Sequence, residues 1–329
     1  MTRTAVRWLA AAMAAGLVLA GYGGDDGAGG GGESAGPTAV TVSETAGVPS
    51  NFVAFGVKKG FFEKEGLKVT LQTAQGGAAT VPALVSGKVQ IGGSNVVSLL
   101  IAASKGLPIQ AIAPGTSAHG SGEKDFGALM VPKDSSVREV ADLAGKTVAV
   151  NTLNNIAEVV VKASLQKAGV DPEQVKLAEV DFPEMGAALE KDDVDAAFVI
   201  EPFVTAEREA SRIIDYSYVT TEPNMQVGAY AVSKQFAEQN PEAVESWRRA
   251  VAATAGYLTD HQDEFRTFMT EQAKTPAALA EGMQLPSFTS ELNTESIERT
   301  AGLVQRFGLV DEKIAVDQLV GGTHAATGQ

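Results

Sequence analysis

Two stretches of the chain, about a hundred residues apart, repeat the same short phrase. Residues 83–93 read ALVSGKVQIGG and residues 188–198 read ALEKDDVDAAF. Without a gap, the two align on Ala-Leu and again on Val89 and Val194. Each phrase has the pattern of a helix end, a polar turn and the start of a strand. The match is short, so its flanks decide whether it reflects a shared architecture.

The flanks of both phrases follow the same order of elements. In residues 39–71 and 146–180, a β-branched strand pattern precedes a polar loop, a helical pattern and a second strand. Gly60 and Gly169 stand at the predicted helix ends, where a left-handed residue is favoured. Each half is therefore predicted to run strand–loop–helix–strand–loop–helix–strand, which makes the fold a duplicated α/β architecture.

A second pair of similar segments predicts how the two halves are joined. Residues 127–135 and 228–236 share Gly-Ala-x-x-Val-x-Lys, and each reads as a strand that leads through a turn into a helix. Two such strands are what a chain needs to leave one lobe and return to it. We therefore predict lobe one at 38–127 plus 229–329 and lobe two at 128–228, with mainly parallel sheets and helices on both faces.

The first 37 residues have the composition of an export signal followed by a tether. Residues 1–21 combine two arginines with a short apolar core, as signal peptides do, and residues 22–37 form a Gly-rich spacer, so the folded part starts near Thr38. LAGYGG resembles the bacterial lipoprotein box, with Tyr22 in place of the lipidated cysteine. We favour a lipoprotein precursor that has lost its anchoring residue. The alternative is an ordinary cleaved signal, and both place the protein outside the cytoplasmic membrane.

Composition excludes several classes of function. The net charge of −14 argues against nucleic acid and anionic membrane surfaces as partners. The absence of cysteine rules out disulfides, thiolate metal sites and cysteine nucleophiles, and the three histidines lack metal-ligand spacing. Since G-x-S-x-G, P-loop and dinucleotide-binding motifs are also missing, we expect neither a cofactor nor a metal nor an enzyme.

Five segments resemble one family of extracytoplasmic proteins. They are GVKKGFFEKEGLKVTL, VPALVSGKVQIGGSN, KGLPIQAIAP, VREVADLAGKTVAV and VDAAFVIEPF. Over residues 38–320 the pattern is similar to the substrate-binding proteins of ABC importers, in particular the nitrate, sulfonate, taurine and thiamine-pyrimidine-precursor group. The resemblance implies a periplasmic-binding-protein type II fold, with two lobes joined by two crossing strands. It further implies a monomer that captures a small polar molecule and delivers it to a membrane permease.

Two other functions on the same fold stay open. One is an enzyme similar to the thiamine-precursor synthase, which the export signal and the absence of cysteine disfavour. The other is a sensor domain, which would need a transmembrane helix after the domain. The motifs do not distinguish sulfonate, taurine, nitrate and pyrimidine as the ligand.

The strand ends of this sequence carry a consistent set of small polar loops. In open parallel sheets, ligands bind at these ends, where helix N-termini offer free N–H groups and partial positive charge. Ser50 and Asn51, like Ser94 and Asn95, are also predicted to cap helices. The candidate ligand-binding residues are Ser50, Asn51, Phe52, Gly76, Gly77, Ser94, Asn95, Thr116, Ser117, Asn151, Thr152, Asn154, Asn155, Asp181 and Glu201.

Glu201 follows an apolar strand and precedes Pro202, and two interpretations stay open. Its carboxylate caps the next helix, or it faces the cleft and pairs with an amine or ring N–H of the ligand. The candidate loops contain little Lys or Arg, so an anion would rely on helix N-termini and hydroxyls. An amino-sulfonate or a pyrimidine is compatible both with anion binding by helix N-termini and with a carboxylate in the cleft. Phe52, Phe182 and Tyr230 are candidates for stacking on a ring of the ligand.

Overall fold

The computed structural model describes residues 36–321, with the exception of residues 75, 122 and 123. The predicted signal peptide, Tyr22 and most of the predicted tether lie outside these residues. The first described strand begins at Thr38. Among the described helices, none combines the length and the apolar character that a membrane crossing requires.

In the first part of the chain, strands alternate with helices in the predicted order. The elements are β1 (Thr38–Thr45), α1 (Val48–Lys58), α2 (Phe61–Lys64), β2 (Leu67–Ala74), α3 (Gly77–Val85), β3 (Ile91–Asn95), α4 (Val96–Ser104), β4 (Ile109–Pro114) and β5 (Thr116–Ser117).

The middle of the chain repeats this order. Its elements are β6 (Gly127–Pro132), β7 (Thr147–Val150), α5 (Ile156–Lys167), β8 (Lys176–Glu179), α6 (Phe182–Glu190), β9 (Ala196–Ile200), α7 (Phe203–Ala206), β10 (Ser211–Asp215) and α8 (Ser217–Thr221), with short 3₁₀ turns at Val140–Leu143 and Pro172–Gln174.

The last part is mostly helical. Its elements are β11 (Gly228–Ser233), α9 (Lys234–Gln239), α10 (Pro241–Asp260), α11 (Gln262–Glu271), α12 (Ala277–Gly282), β12 (Ser287–Phe288), α13 (Thr294–Arg306) and α14 (Val316–Val320).

The described strands form two five-stranded sheets with matching topology. The first sheet has the order β2-β1-β3-β11-β4 and the second has β8-β7-β9-β6-β10, while β5 and β12 form a separate pair. In the first sheet only β11 runs opposite to the other four strands, and in the second only β6 does. β6 and β11 carry the shared Gly-Ala-x-x-Val-x-Lys segments, so the predicted fold class with its two crossing strands is confirmed. The division of residues into two lobes at the predicted boundaries stays a prediction.

Local sequence explains where the predicted helices end. Gly60 follows α1 with φ 77° and Gly169 follows α5 with φ 78°, a left-handed conformation that strains any residue with a Cβ atom. The start of α1 differs from the prediction. The helix begins at Val48 after Gly47, and the hydroxyl of Ser50 donates to the carbonyl of Gly47. Ser50 and Asn51 therefore lie in the first turn and do not cap it, because Pro49 suits the first turn of a helix.

Two clusters of buried apolar side chains form the core. The larger one includes Leu100 of α4, Val160 of α5 and Phe198 of β9, so it connects the two sheets. The second surrounds Trp247 of α10, which is fully buried and has its ring 4.8 Å from Phe62 and 5.2 Å from Tyr230. This second cluster fixes the orientation of Tyr230 on β11.

Candidate functional site

A cavity lies where the carboxyl ends of strands from both sheets meet. It holds about 600 Å³ of empty space, part of which is open to solvent. Pockets that bind small molecules typically hold about 300–1,000 Å³. The cavity therefore suits a small molecule.

Both sheets and the crossing segments contribute to the cavity wall. The lining residues are Glu44, Thr45, Pro49, Gly76, Gly93, Ser94, Asn95, Gly115, Thr116, Phe126, Asn151, Asn155, Ile156, Phe182, Ile200, Tyr218, Val227, Gly228, Ala229 and Tyr230. Among these described lining residues there is no Lys, Arg or His, and their ionisable side chains are Glu44, Tyr218 and Tyr230. Burial raises the pKa of both tyrosines, so they stay protonated at neutral pH.

Four helices begin at the cavity. Gly76, Asn95 and Asn155 are the residues before α3, α4 and α5, and Phe182 is the first residue of α6. The Oδ1 of Asn95 accepts the Ser98 N–H at 2.9 Å. Since a helix N-terminus carries partial positive charge and free N–H groups, this wall favours the negatively charged part of a ligand.

The loop before α5 is held in place by its own side chains. The Oδ1 of Asn155 accepts the Ala157 N–H at 2.7 Å, while its Nδ2 donates to Thr152 Oγ1 at 2.6 Å and to Asn151 Oδ1 at 3.4 Å. Asn154 adopts a left-handed φ of 52°, and its N–H donates to Glu158 Oε2 at 2.8 Å. The polar groups of this loop are therefore positioned by hydrogen bonds within the loop and to α5.

Glu44 places a carboxylate in the cavity wall at the end of β1. Its side chain accepts the Thr45 N–H at 2.9 Å and a hydrogen bond from the Tyr230 hydroxyl, and the residue is only 3% exposed. Burial raises the pKa of Glu44 to about 7, although the two hydrogen bonds act in the opposite direction. Glu44 is therefore poised to gain or lose a proton near neutral pH. The sequence prediction missed it.

Two glycines beside the cavity make room for these side chains. A Cβ atom on Gly93 would overlap the carboxylate of Glu44, with the Oε1 atom at 2.6 Å. A Cβ atom on Gly77 would likewise overlap Ser94 and Ser98, with the Ser98 Oγ at 2.6 Å. Gly77 is one of the candidate ligand-binding residues, but in the structure the space beside it is filled by the side chains of Ser94 and Ser98.

Glu201 is fully buried, and from its place before Pro202, the N-cap of α7, its carboxylate binds the first turn of that helix. Its carboxylate accepts the Thr205 N–H at 3.0 Å, the Thr205 hydroxyl at 2.9 Å and the Gln284 N–H at 2.9 Å. Burial raises the pKa of Glu201, and these hydrogen bonds oppose that change. Of the two interpretations of this residue, the cap describes the observed contacts.

The structure brings six of the predicted residues together in the cavity wall. They are Gly76, Ser94, Asn95, Thr116, Asn151 and Asn155. The predicted residues outside the wall are Ser50, Asn51, Phe52, Gly77, Ser117, Thr152, Asn154, Asp181 and Glu201. Phe52 is buried in the core, with its ring stacked on Phe288 at 4.4 Å. Ligand binding by the predicted set stays a prediction.

A buried carboxyl group also lies behind the cavity wall. Burial raises the pKa of Asp125 to about 7, although its Oδ1 accepts the Phe126 N–H at 2.8 Å. Asp125 does not line the cavity, whereas its neighbour Phe126 does. In the described part of the chain, no group of three or more His, Cys, Asp or Glu side chains could hold a metal ion.

The amino-acid sequence matches one protein family and two curated binding proteins. The family model described as NMT1/THI5 like matches residues 51–265. The taurine-binding periplasmic protein of Escherichia coli (strain K12) is 32% identical over 202 residues, which are 61% of this chain and 61% of the relative. The formylaminopyrimidine-binding protein of Halalkalibacterium halodurans is 23% identical over 221 residues, or 65% of this chain and 63% of the relative. The matches thus span about three-fifths of each relative.

Solved structures share the fold. The alkanesulfonate-binding protein SsuA from Xanthomonas axonopodis pv. citri, bound to MOPS, superposes with a TM-score of 0.73 at 18% sequence identity. The superposition covers 87% of this chain and 99% of that protein. It supports the periplasmic-binding-protein architecture that the sequence predicted.

Proposed function

The chain belongs to the NMT1/THI5-like family, and from this premise we propose that it is the extracytoplasmic solute-binding protein of an ABC importer. It captures a small polar molecule in the cavity between the two sheets and hands it unchanged to a membrane permease. We place its action outside the cytoplasmic membrane, as a monomer. The ligand is a sulfonate, taurine, nitrate or a thiamine pyrimidine precursor.

One observation carries this proposal: helix N-termini from both sheets converge on the same small cavity. α3 and α4 start from loops of the first sheet, whereas α5 and α6 start from loops of the second. A molecule held by both groups bridges the two halves and stabilises a closed arrangement. A ligand that contacted only one half would have no such effect. Bridging is what a carrier needs if a permease is to distinguish loaded from empty protein.

The chemistry of the cavity wall favours the sulfonates among these ligands. Taurine and short alkanesulfonates carry an anionic group on a two-carbon chain. The helix N-termini supply the donors for the sulfonate oxygens.

We expect Asn155→Ala to weaken the binding of taurine by about tenfold or more. The substitution removes the amide that orders Asn151 and Thr152 and that caps α5, so the polar groups of this wall lose their arrangement. Isothermal titration calorimetry at pH 8 measures the affinity. The cap itself contributes about 1 kcal/mol to stability.

Asn293→Ala is the matched control for this experiment. Asn293 caps α13 through the same kind of hydrogen bond, from the Ser296 N–H at 3.1 Å, but does not line the cavity. It is expected to lower stability by a similar amount and to leave the affinity within twofold of wild type. Equal affinities in the two variants would remove Asn155 from the site.

A thermal-shift screen tests the proposed function as a whole. Taurine, ethanesulfonate, nitrate and formylaminopyrimidine are each added to the purified protein, and the solution is analysed afterwards for chemical change. A carrier is stabilised by at least one of these solutes and returns it intact. Conversion of a solute into product, or stabilisation by none of the four, would contradict the proposal.

A further inference from the structure

The carboxylate of Glu44 in the cavity wall is not expected in a site that binds only simple anions. Its carboxylate lines the same wall that gathers helix N-termini, and no lysine, arginine or histidine among the described lining residues balances it. An ionised carboxylate would repel nitrate or a simple alkanesulfonate. A buried carboxyl group at such a site either takes up a proton or pairs with a group of opposite charge.

The geometry around Glu44 holds the carboxylate in one position. The Thr45 N–H and the Tyr230 hydroxyl both donate to it, and Tyr230 in turn packs on the fully buried Trp247. Behind it, Gly93 leaves the space that the carboxylate fills, because any larger residue would overlap it. The fold therefore builds a fixed place for this group.

From this geometry we propose that Glu44 receives the ammonium group of a zwitterionic ligand, whose anionic group lies at the N-termini of α3, α4 and α5. The inference rests on the proposed function and adds the ligand class and the residue that selects it. The two ends of the ligand then meet opposite charges within one cavity. A sulfonate with a neutral end meets only one of them.

Proton release follows from the chemistry of this pair. In the free protein, Glu44 is largely protonated below about pH 7. The ammonium group favours the ionised carboxylate, so the carboxyl proton leaves to solvent as the ligand binds. Affinity therefore rises as the pH rises through about 7 and then levels off. Below that pH it falls by up to about tenfold per unit, until the lower pKa of the complex is reached.

Three other groups could contribute to this pH dependence. Tyr230 faces Glu44 directly, and Tyr218 lines the same cavity, but burial raises the pKa of both, and they stay protonated throughout this range. Asp125 has its pKa raised to about 7, and it lies behind Phe126 outside the cavity wall. A Glu44 variant separates its effect from that of Asp125.

Calorimetry with two matched solutes tests the proposal. Taurine and isethionate share the sulfonate and the two-carbon chain, but isethionate carries a hydroxyl where taurine carries the ammonium group. At pH 8 we expect the wild-type protein to bind taurine at least about 30-fold more tightly than isethionate. Glu44→Gln keeps the size of the side chain and is expected to make the two affinities equal within about threefold.

Glu207→Gln is the matched control. Burial raises the pKa of Glu207 too, and its carboxylate also lies over a glycine, Gly186, but it does not line the cavity. This variant should keep the preference of the wild-type protein for taurine. If it lost that preference, the effect of Glu44→Gln could not be assigned to contact with the ligand, and the proposal would fail.

Proton release provides a measurement that needs no variant. Titrations of wild type with taurine at pH 6.5, in buffers with different ionisation enthalpies, should show net proton release on binding. Release that persisted in Glu44→Gln would assign the proton to Asp125 and overturn the inference.

The outcomes distinguish failure of the role of Glu44 from failure of the proposed function. Equal affinity of wild type for taurine and isethionate would overturn the role of Glu44 while leaving a sulfonate carrier in place. Binding of neither solute, together with no response in the thermal-shift screen, would overturn the proposed function and the inference with it.

Discussion

Gly93→Ala is expected to weaken taurine binding by about 100-fold or more. The new Cβ atom would lie 2.6 Å from the Oε1 of Glu44, and closer still to the other atoms of the carboxylate. Thr45 and Tyr230 hold the carboxylate where it lies, so to make room either the side chain moves into the cavity or β1 and β3 separate. The first movement occupies the place of the ligand and the second distorts the wall. Calorimetry at pH 8 measures the loss.

Gly186→Ala is the control, because it creates the same kind of overlap away from the cavity. Its Cβ atom would lie 2.8 Å from the Oε2 of Glu207. Glu207 is only partly buried, so its side chain can turn toward solvent, and the affinity should stay within twofold of wild type.

A double-variant comparison isolates the overlap with Glu44. In a Glu44→Ala background the carboxylate is gone, and adding Gly93→Ala should change the melting temperature by no more than about 2 °C. In the wild-type background the same substitution should lower it clearly. Unchanged taurine affinity in Gly93→Ala would mean that the carboxylate does not fill the space beside this glycine.

The fold was predictable because its signals are local and occur twice. The strand and helix patterns of residues 39–71 and 146–180, together with Gly60 and Gly169, predicted β1, α1, β2 and β7, α5, β8. The repeated Gly-Ala-x-x-Val-x-Lys segment predicted β6 and β11, and these are the strands that run against their neighbours in the two sheets. Each of these signals depends on backbone conformation and side-chain periodicity within a short window.

The site was only partly predictable, because burial depends on residues far apart in the chain. Asn95 and Asn155 were predicted to lie at the cavity, since a polar residue between a strand and a helix is a local signal. Glu44 reads as an ordinary residue of an alternating strand, and only Gly93 and Tyr230, brought beside it by sheet pairing, turn it into a buried carboxylate. The sequence signal that could have identified Glu44 was its position as a carboxylate at the end of an apolar strand.

Phe52 shows the opposite error. Its position after a strand end suggested a ring for stacking on a ligand. However, α1 begins at Val48, so Phe52 lies on the face of the helix that packs against Phe288 in the core. A shift of a few residues in the start of the helix was enough to change which side chains reach the cavity.

Glu201→Ala is expected to lower the free energy of unfolding by about 3–5 kcal/mol while changing taurine affinity by less than about threefold. The carboxylate accepts three hydrogen bonds in a fully buried position. Its removal leaves the N–H groups of Thr205 and Gln284 without an acceptor. For a chain of this size the melting temperature should fall by roughly 6–15 °C.

Glu201→Gln is the control that separates stability from binding. Its amide oxygen still accepts part of this set of hydrogen bonds, so about half of the stability or more should be kept. Denaturant unfolding measures the stability of both variants, and calorimetry at a temperature where both are folded measures their affinity. If Glu201→Ala kept the wild-type melting temperature but lost taurine binding by tenfold, the carboxylate would have to turn toward the ligand. The interpretation in which Glu201 faces the cleft would then be correct. In that case Glu44 and Glu201 would both receive the ammonium group of the ligand.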